Sequence, residues 1–108
     1  RIIDEPLLQT FRERGLCEWC GVQRLTGLDP HHVFAKGMGG GGRLDVRINI
    51  VALCRTCHGR VNAGQIMRCD LLAIVAAREK TTQDAIEREI YALRRRKKDG
   101  EPAAVVEQ

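Results

Sequence analysis

The sequence predicts an α+β fold, with a small β-hairpin and a short helix clamped by cysteines and helices on either side. Three observations carry this. Two C-x-x-C pairs, Cys17/Cys20 and Cys54/Cys57, stand 33 residues apart. The stretch between them holds two strand-like segments, the second being the β-branched run "VRINIVAL". Outside the pairs, apolar residues recur at helical spacing.

The elements follow in order. "DEPLLQTFRERG" predicts a helix over 4–14, with Asp4 as cap, Pro6 in the first turn and Gly15 closing it. "LCEWCG" is a tight cysteine knuckle. "LTGLDPHHVFA" predicts an extended segment reached through a turn at Asp29-Pro30. "KGMGGGGRLD" is a loop, and "VRINIVAL" is the second strand. "CRTCHGRVNAG" gives a second knuckle and a short helix ending near Gly64. Two more helices are expected at 70–79, with Asp70 as N-cap, and at 82–97, capped by Thr81 or Thr82. Leu7, Leu8, Phe11, Leu71, Leu72, Ile74, Val75, Ile86, Ile90 and Leu93 are the candidate core of these flanking helices. The tail 99–108 is expected to be flexible.

Composition bounds the function. A chain of 108 residues with 4% aromatics must build an aliphatic core of modest size, a setting in which a bound metal helps. Arg1 in place of Met points to a trimmed or processed chain. No run approaches a membrane span and no secretory pattern opens the chain, so the cytoplasm is the expected compartment and no membrane partner is expected. Net charge is +4, and five of the 18 basic side chains form one block, Arg94–Lys98. Such a block suits nucleic acid, and equally a solvated helix end whose cations complement the dipole.

Two matched C-x-x-C turns can close a tetrahedron of thiolates around Zn²⁺, so Cys17, Cys20, Cys54 and Cys57 predict a structural zinc site. The gap between the pairs exceeds that of a simple zinc ribbon. The zinc therefore clamps an insert, and the insert holds His31, His32 and five glycines between 37 and 42. Cys69 fits neither knuckle and reads as a buried or idle thiol.

Neighbouring strand residues face opposite ways. Val33 belongs to the core, so His31 faces inward and His32 outward. His31 can then be a metal ligand and His32 a general base. His58, fixed by the adjacent Cys57, can meet His31, and Asn62 lies one helical turn further on. Two histidines leave coordination positions open, as catalytic metals require. The plainer alternative makes His58 a spare zinc ligand and the histidine pair a polar strand end. A zinc deaminase is set aside, because it needs H-x-E and a Pro before the second cysteine pair.

With these residues in place, "PHHVFAKGMGGGGRLDVRINIVALCRTCH" resembles the HNH endonucleases in their four-cysteine zinc form, a ββα-metal fold. The resemblance spans about Leu16 to Gly64. It includes the double histidine, Asn49 at 17 residues after His32, His58 nine residues later, and the run "NIVALCRTCH". It implies a single nuclease domain over 1–98 that hydrolyses phosphodiesters with one divalent metal and a histidine base. It assigns His31 and His58 as ligands of the catalytic metal, His32 as general base, and Asn49 as the residue that ties the hairpin loop and helps orient the base. Asn62 falls where some relatives carry a further ligand, and its role stays open among ligand, water-holder and bystander. Lys36, Arg43, Arg47, Arg55 and Arg60 are candidate phosphate contacts. The catalytic ion stays open among Mg²⁺, Mn²⁺, Ni²⁺ and Zn²⁺. The expected partner is double-stranded DNA, nicked or cut, with weak specificity or a partner that supplies it; a homodimer and a phage or host protein partner both stay open, in a bacterial or phage-infected cell. The alternative is a zinc-stabilised DNA-binding module that does not cut.

Overall fold

The computed structural model describes residues 1–24, 27–34 and 43–98, apart from the side chains of 96–98. The fold is α+β. Helix α1 spans Glu5–Arg12, strand β1 Asp29–His32, strand β2 Ile50–Leu53, and helices α2, α3 and α4 span Arg55–Asn62, Arg68–Glu79 and Gln83–Lys98. Lys36, the glycine run and the tail 99–108 lie outside the described residues. No helix among the described residues is long and apolar enough to cross a membrane.

Local chemistry explains the boundaries. Asp4 caps α1, its Oδ1 accepting the Leu7 N–H at 3.0 Å. Gly15, at φ 94°, turns the chain into the first knuckle. There Cys17 and Val22 share a backbone hydrogen bond of 3.0 Å. Strands β1 and β2 pair antiparallel in the register Asp29↔Leu53, Pro30↔Ala52, His31↔Val51 and His32↔Ile50.

Three expectations need correction. Asp29-Pro30 is not a turn before the strand but its first two residues. Pro30 is tolerated because β1 is an edge strand that can forgo one N–H. The second strand begins at Ile50, not Val46, because Arg47–Asn49 form a 3-10 turn. Helix α3 begins at Arg68, so Asp70 sits in its first turn rather than at its cap. From there the Asp70 carboxylate accepts the Met67 N–H at 2.9 Å. Thr82 is the cap of α4, its Oγ1 accepting the Ala85 N–H at 3.1 Å.

Strand β2 is buried along its length. It packs in one cluster with Leu8 and Phe11 of α1, Leu71, Leu72 and Val75 of α3, and Ile86 and Ile90 of α4. Leu7, Ile74 and Leu93, expected beside them, are only partly buried. The side of β2 away from β1 is closed by the first knuckle. Glu18 donates its N–H to the Ala52 carbonyl at 2.9 Å, and its carboxylate accepts the Ala52 N–H at 2.8 Å.

Arg78 of α3 completes that seam. Its Nη1 lies 2.9 Å from Glu18 Oε1 and 3.0 Å from the Ile50 carbonyl, and its Nη2 donates to the Arg47 carbonyl at 2.6 Å. The two charged side chains are 11% and 10% exposed. Removing one member of a buried pair typically costs about 3–5 kcal/mol, and here Glu18 would keep Arg14, 3.7 Å away, and the Ala52 N–H. Arg78→Ala is therefore expected to lower stability by roughly 3 kcal/mol, read as a shift of the urea midpoint. A shift within error of zero would show that knuckle and helix are not joined through this contact.

Candidate functional site

The Sγ atoms of Cys17, Cys20, Cys54 and Cys57 all lie within 4.8 Å of one another. Among the described residues, no other group of three or more His, Cys, Asp or Glu gathers its ligand atoms this way. Cys20 and Cys54 are separated by 3.8 Å between sulfurs. A tetrahedral zinc with bonds of about 2.3 Å has sulfur–sulfur edges of about 3.8 Å, so the set fits that ion. Backbone N–H groups of Trp19 and Cys20 point at Cys17 Sγ, at 3.4 and 3.5 Å, and that of Cys57 at Cys54 Sγ, at 3.4 Å. Burial alone would raise the Cys17 thiol. The N–H groups of Cys20, Cys54 and Trp19 outweigh it and bring the group down to about 6, whereas burial pushes Cys57 up. One sulfur is thus ready to receive a cation, whose charge would draw the protons from the others. Cys69 is exposed and stands apart from the quartet.

A cavity of about 850 Å³ borders both α1 and α2 and takes in all four residues of β1. His31, His32, His58, Asn62, Arg43 and Arg55 all border it. Alternation along β1 gives Asp29 and His31 one side and Pro30 and His32 the other. On the first side, the His31 and His58 rings meet edge to face with centroids 5.1 Å apart. His58 Nδ1 is 2.9 Å from Asp29 Oδ2. An ionised carboxylate can only accept, so Nδ1 donates, and the neutral form of the ring carries its lone pair on Nε2. Burial, then the charges of His58 and His32, hold His31 down at about 4. It is therefore a neutral imidazole at neutral pH, the form that binds metals.

On the other side, His32 Nε2 lies 2.7 Å from Asp45 Oδ1. Asp45 is 1% exposed. Burial would raise its carboxyl, but hydrogen bonds from Arg43, from the Asp4 N–H and from His32 hold it down at about 2. Sequence reasoning did not name Asp45. An acid two residues after an arginine, at the mouth of a strand, was its only signal.

Asn49 does not touch His32. Its Oδ1 accepts the Phe34 N–H at 2.8 Å, and its Nδ2 donates to the carbonyls of Phe34 at 3.2 Å and Leu44 at 3.0 Å. The side chain ties together the two ends of the segment between the strands, and the group on His32 is Asp45 instead. Asn49 is fully buried, and an unpaired buried polar group costs about 1–3 kcal/mol. Asn49→Ala is expected to lose roughly 2–3 kcal/mol on that scale, measured by urea denaturation. A loss below 0.5 kcal/mol, roughly that of a plain surface change, would leave the tie without consequence.

The arginines separate. Arg43 and Arg55 border the cavity, Arg43 bound to Asp45 and Glu5, and Arg55 lying 3.4 Å from Asp29. Arg47 is drawn away, 2.8 Å from Glu79 on α3 and 5.8 Å above the Phe11 ring. Arg60 is exposed on α2 and does not border the cavity. Arg12 of α1 borders it, although the sequence reading left it out. In the basic run, Arg94 lies 5.9 Å from the Phe34 ring and Arg95 5.8 Å from Tyr91.

No model of a protein family matches the chain. A search of curated proteins returns no match.

Proposed function

We propose that the chain is a metal-dependent DNA endonuclease or nickase of the HNH type, with a structural zinc at the cysteine quartet. The observation that carries this reading is the pairing of two differently held histidine sets on one open cavity. His31 and His58 stand 5.1 Å apart between rings, and His32 is bound to a buried carboxylate. This is the separation of tasks that phosphodiester hydrolysis needs.

His32 takes the proton from the attacking water, since a neutral imidazole is basic enough near pH 7. His31 and the Nε2 of His58 would hold the catalytic cation, with Asn62 bordering the same space. Asp29 fixes the ring of His58, as carboxylates commonly do behind metal-bound histidines. A divalent ion held there would supply positive charge to the phosphate during hydrolysis. Arg43 and Arg55, bordering the cavity, steer the backbone phosphates of the DNA. Zinc at the quartet fixes Cys57 and so sets where His58 stands.

Duplex DNA incubated with zinc-loaded protein and a panel of divalent ions tests the reading by its ends. Cleavage is expected only with added metal, and the products are expected to carry 5′-phosphates that ligate without a kinase step. Salt-dependent binding with no cleavage under any ion would favour the non-cutting module. Absence of both would remove DNA as the partner.

A further inference from the structure

We infer that Asp45 is the positioning residue for His32, fixing its ring with the proton on Nε2 and leaving Nδ1 as the basic atom, and that the segment before α1 belongs to this device. The inference rests on the nuclease reading for what the basic atom does, and on geometry for the rest.

Asp45 is almost wholly buried, yet both its oxygens are used. Oδ1 faces His32 Nε2 at 2.7 Å and Arg43 Nε at 2.9 Å. Oδ2 accepts the Asp4 N–H at 2.8 Å and Arg43 Nη2 at 2.9 Å. Every neighbour apart from His32 is a donor. An ionised carboxylate surrounded by donors has no proton to give, so the hydrogen at His32 must lie on Nε2. The lone pair is then on Nδ1. A base oriented by a third group is the usual way such a side chain is made ready.

The backbone of Asp45 is held as firmly as its side chain. Ile2 donates its N–H to the Arg43 carbonyl at 2.8 Å, and Asp45 donates to the Ile2 carbonyl at 2.8 Å. Leu44, between them, is buried. Residues 2–4 thus run beside 43–45 and deliver the Asp4 N–H to Oδ2. Asn49 does not take this role: its amide group bonds the backbone of Phe34 and Leu44 and makes no hydrogen bond to His32. It fixes the loop end that carries Asp45, and Asp45 fixes the ring.

Asp29 does the opposite to His58. It accepts from Nδ1, so His58 carries its proton there. The two rings should therefore be opposite tautomers in one protein, an internal contrast that a general packing effect does not produce.

The test is a two-bond ¹H–¹⁵N correlation spectrum of the histidine rings in ¹⁵N-labelled, zinc-loaded protein, taken at a pH above which the ring ¹⁵N shifts no longer change. His32→Gln and His58→Gln assign the signals. His32 is expected as the Nε2–H form and His58 as the Nδ1–H form. In Asp45→Asn the amide can donate to Nε2, so His32 is expected to shift toward Nδ1–H. That variant should lower kcat by about 10²- to 10⁴-fold, the scale of losing a general base, with KM for duplex DNA little changed. His32 as Nδ1–H in the wild type would overturn the inference, and that spectrum decides even if Asp45→Asn does not fold. A folded Asp45→Asn that cuts at the wild-type rate would also overturn it. A wild type that cuts nothing while His32 shows the expected tautomer would instead refute the nuclease reading and leave the positioning intact.

Discussion

Cys54→Ser protein is expected to lose its metal and most of its fold. Structural zinc supplies on the order of 10 kcal/mol to small domains, as much as the whole stability of a typical one. Cys54 also has local duties. It is the N-cap of α2, its Sγ accepting the Cys57 N–H, and its carbonyl accepts the His58 N–H at 2.9 Å. It directly follows the buried strand β2. Serine keeps both the cap and the carbonyl, so the variant removes the metal clamp itself, and with it the hold on the start of α2, the end of β2 and the placement of His58. Elemental analysis of the purified wild type should give one zinc per chain. The variant, and wild type stripped by a strong chelator, should lose helical circular dichroism and aggregate. Soluble, folded, metal-free protein would show that the quartet closes without an ion.

The histidine variants should fail in two different ways. His32→Ala is expected to keep its fold, its zinc and its affinity for a second divalent ion, and to lose about 10²- to 10⁴-fold in cutting rate. His31→Ala and His58→Ala are expected to lose cutting together with affinity for the second ion, and to recover in part at high metal concentration. Asn49→Ala should fall between, because it holds the loop that carries Asp45 rather than the proton itself. Calorimetric titration of a divalent ion into each zinc-loaded variant separates the classes. Normal binding by His31→Ala with loss in His32→Ala would exchange the two roles.

Much of the fold was legible because its signals are local. Asp4 and Pro6 open α1 in the sequence as they do in three dimensions, although the helix ends at Arg12 with Glu13 as its cap, short of Gly15, and the two C-x-x-C pairs foretell the sulfur cluster. The start of β2 was not legible. The β-branched run continues back through Val46 and Ile48, and what breaks the strand is a tertiary tie, the Asn49 amide on Phe34 and Leu44. The start of α3 was misplaced because Asp70 suits a cap and a first turn alike. The neighbourhood of the histidines could be read only in part. That neighbours on β1 face apart follows from pleating, but which groups wait on each side depends on chain segments far apart. Asp45 reaches His32 only because residues 2–4 and the end of the interstrand segment run side by side. Arg47, by composition a phosphate contact, is claimed by Glu79, an acid 32 residues away that spacing does not reveal.

Conversion of supercoiled plasmid to open circle by zinc-loaded protein, with and without a second divalent ion, for wild type beside His32→Ala, asks whether His32 and a metal held by His31 and His58 cut DNA. Wild type is expected to nick when the ion is added and to stop on its chelation, and the variant is expected to lose nicking. Nicking by His32→Ala at the wild-type rate, or none by wild type under any ion, would remove that mechanism.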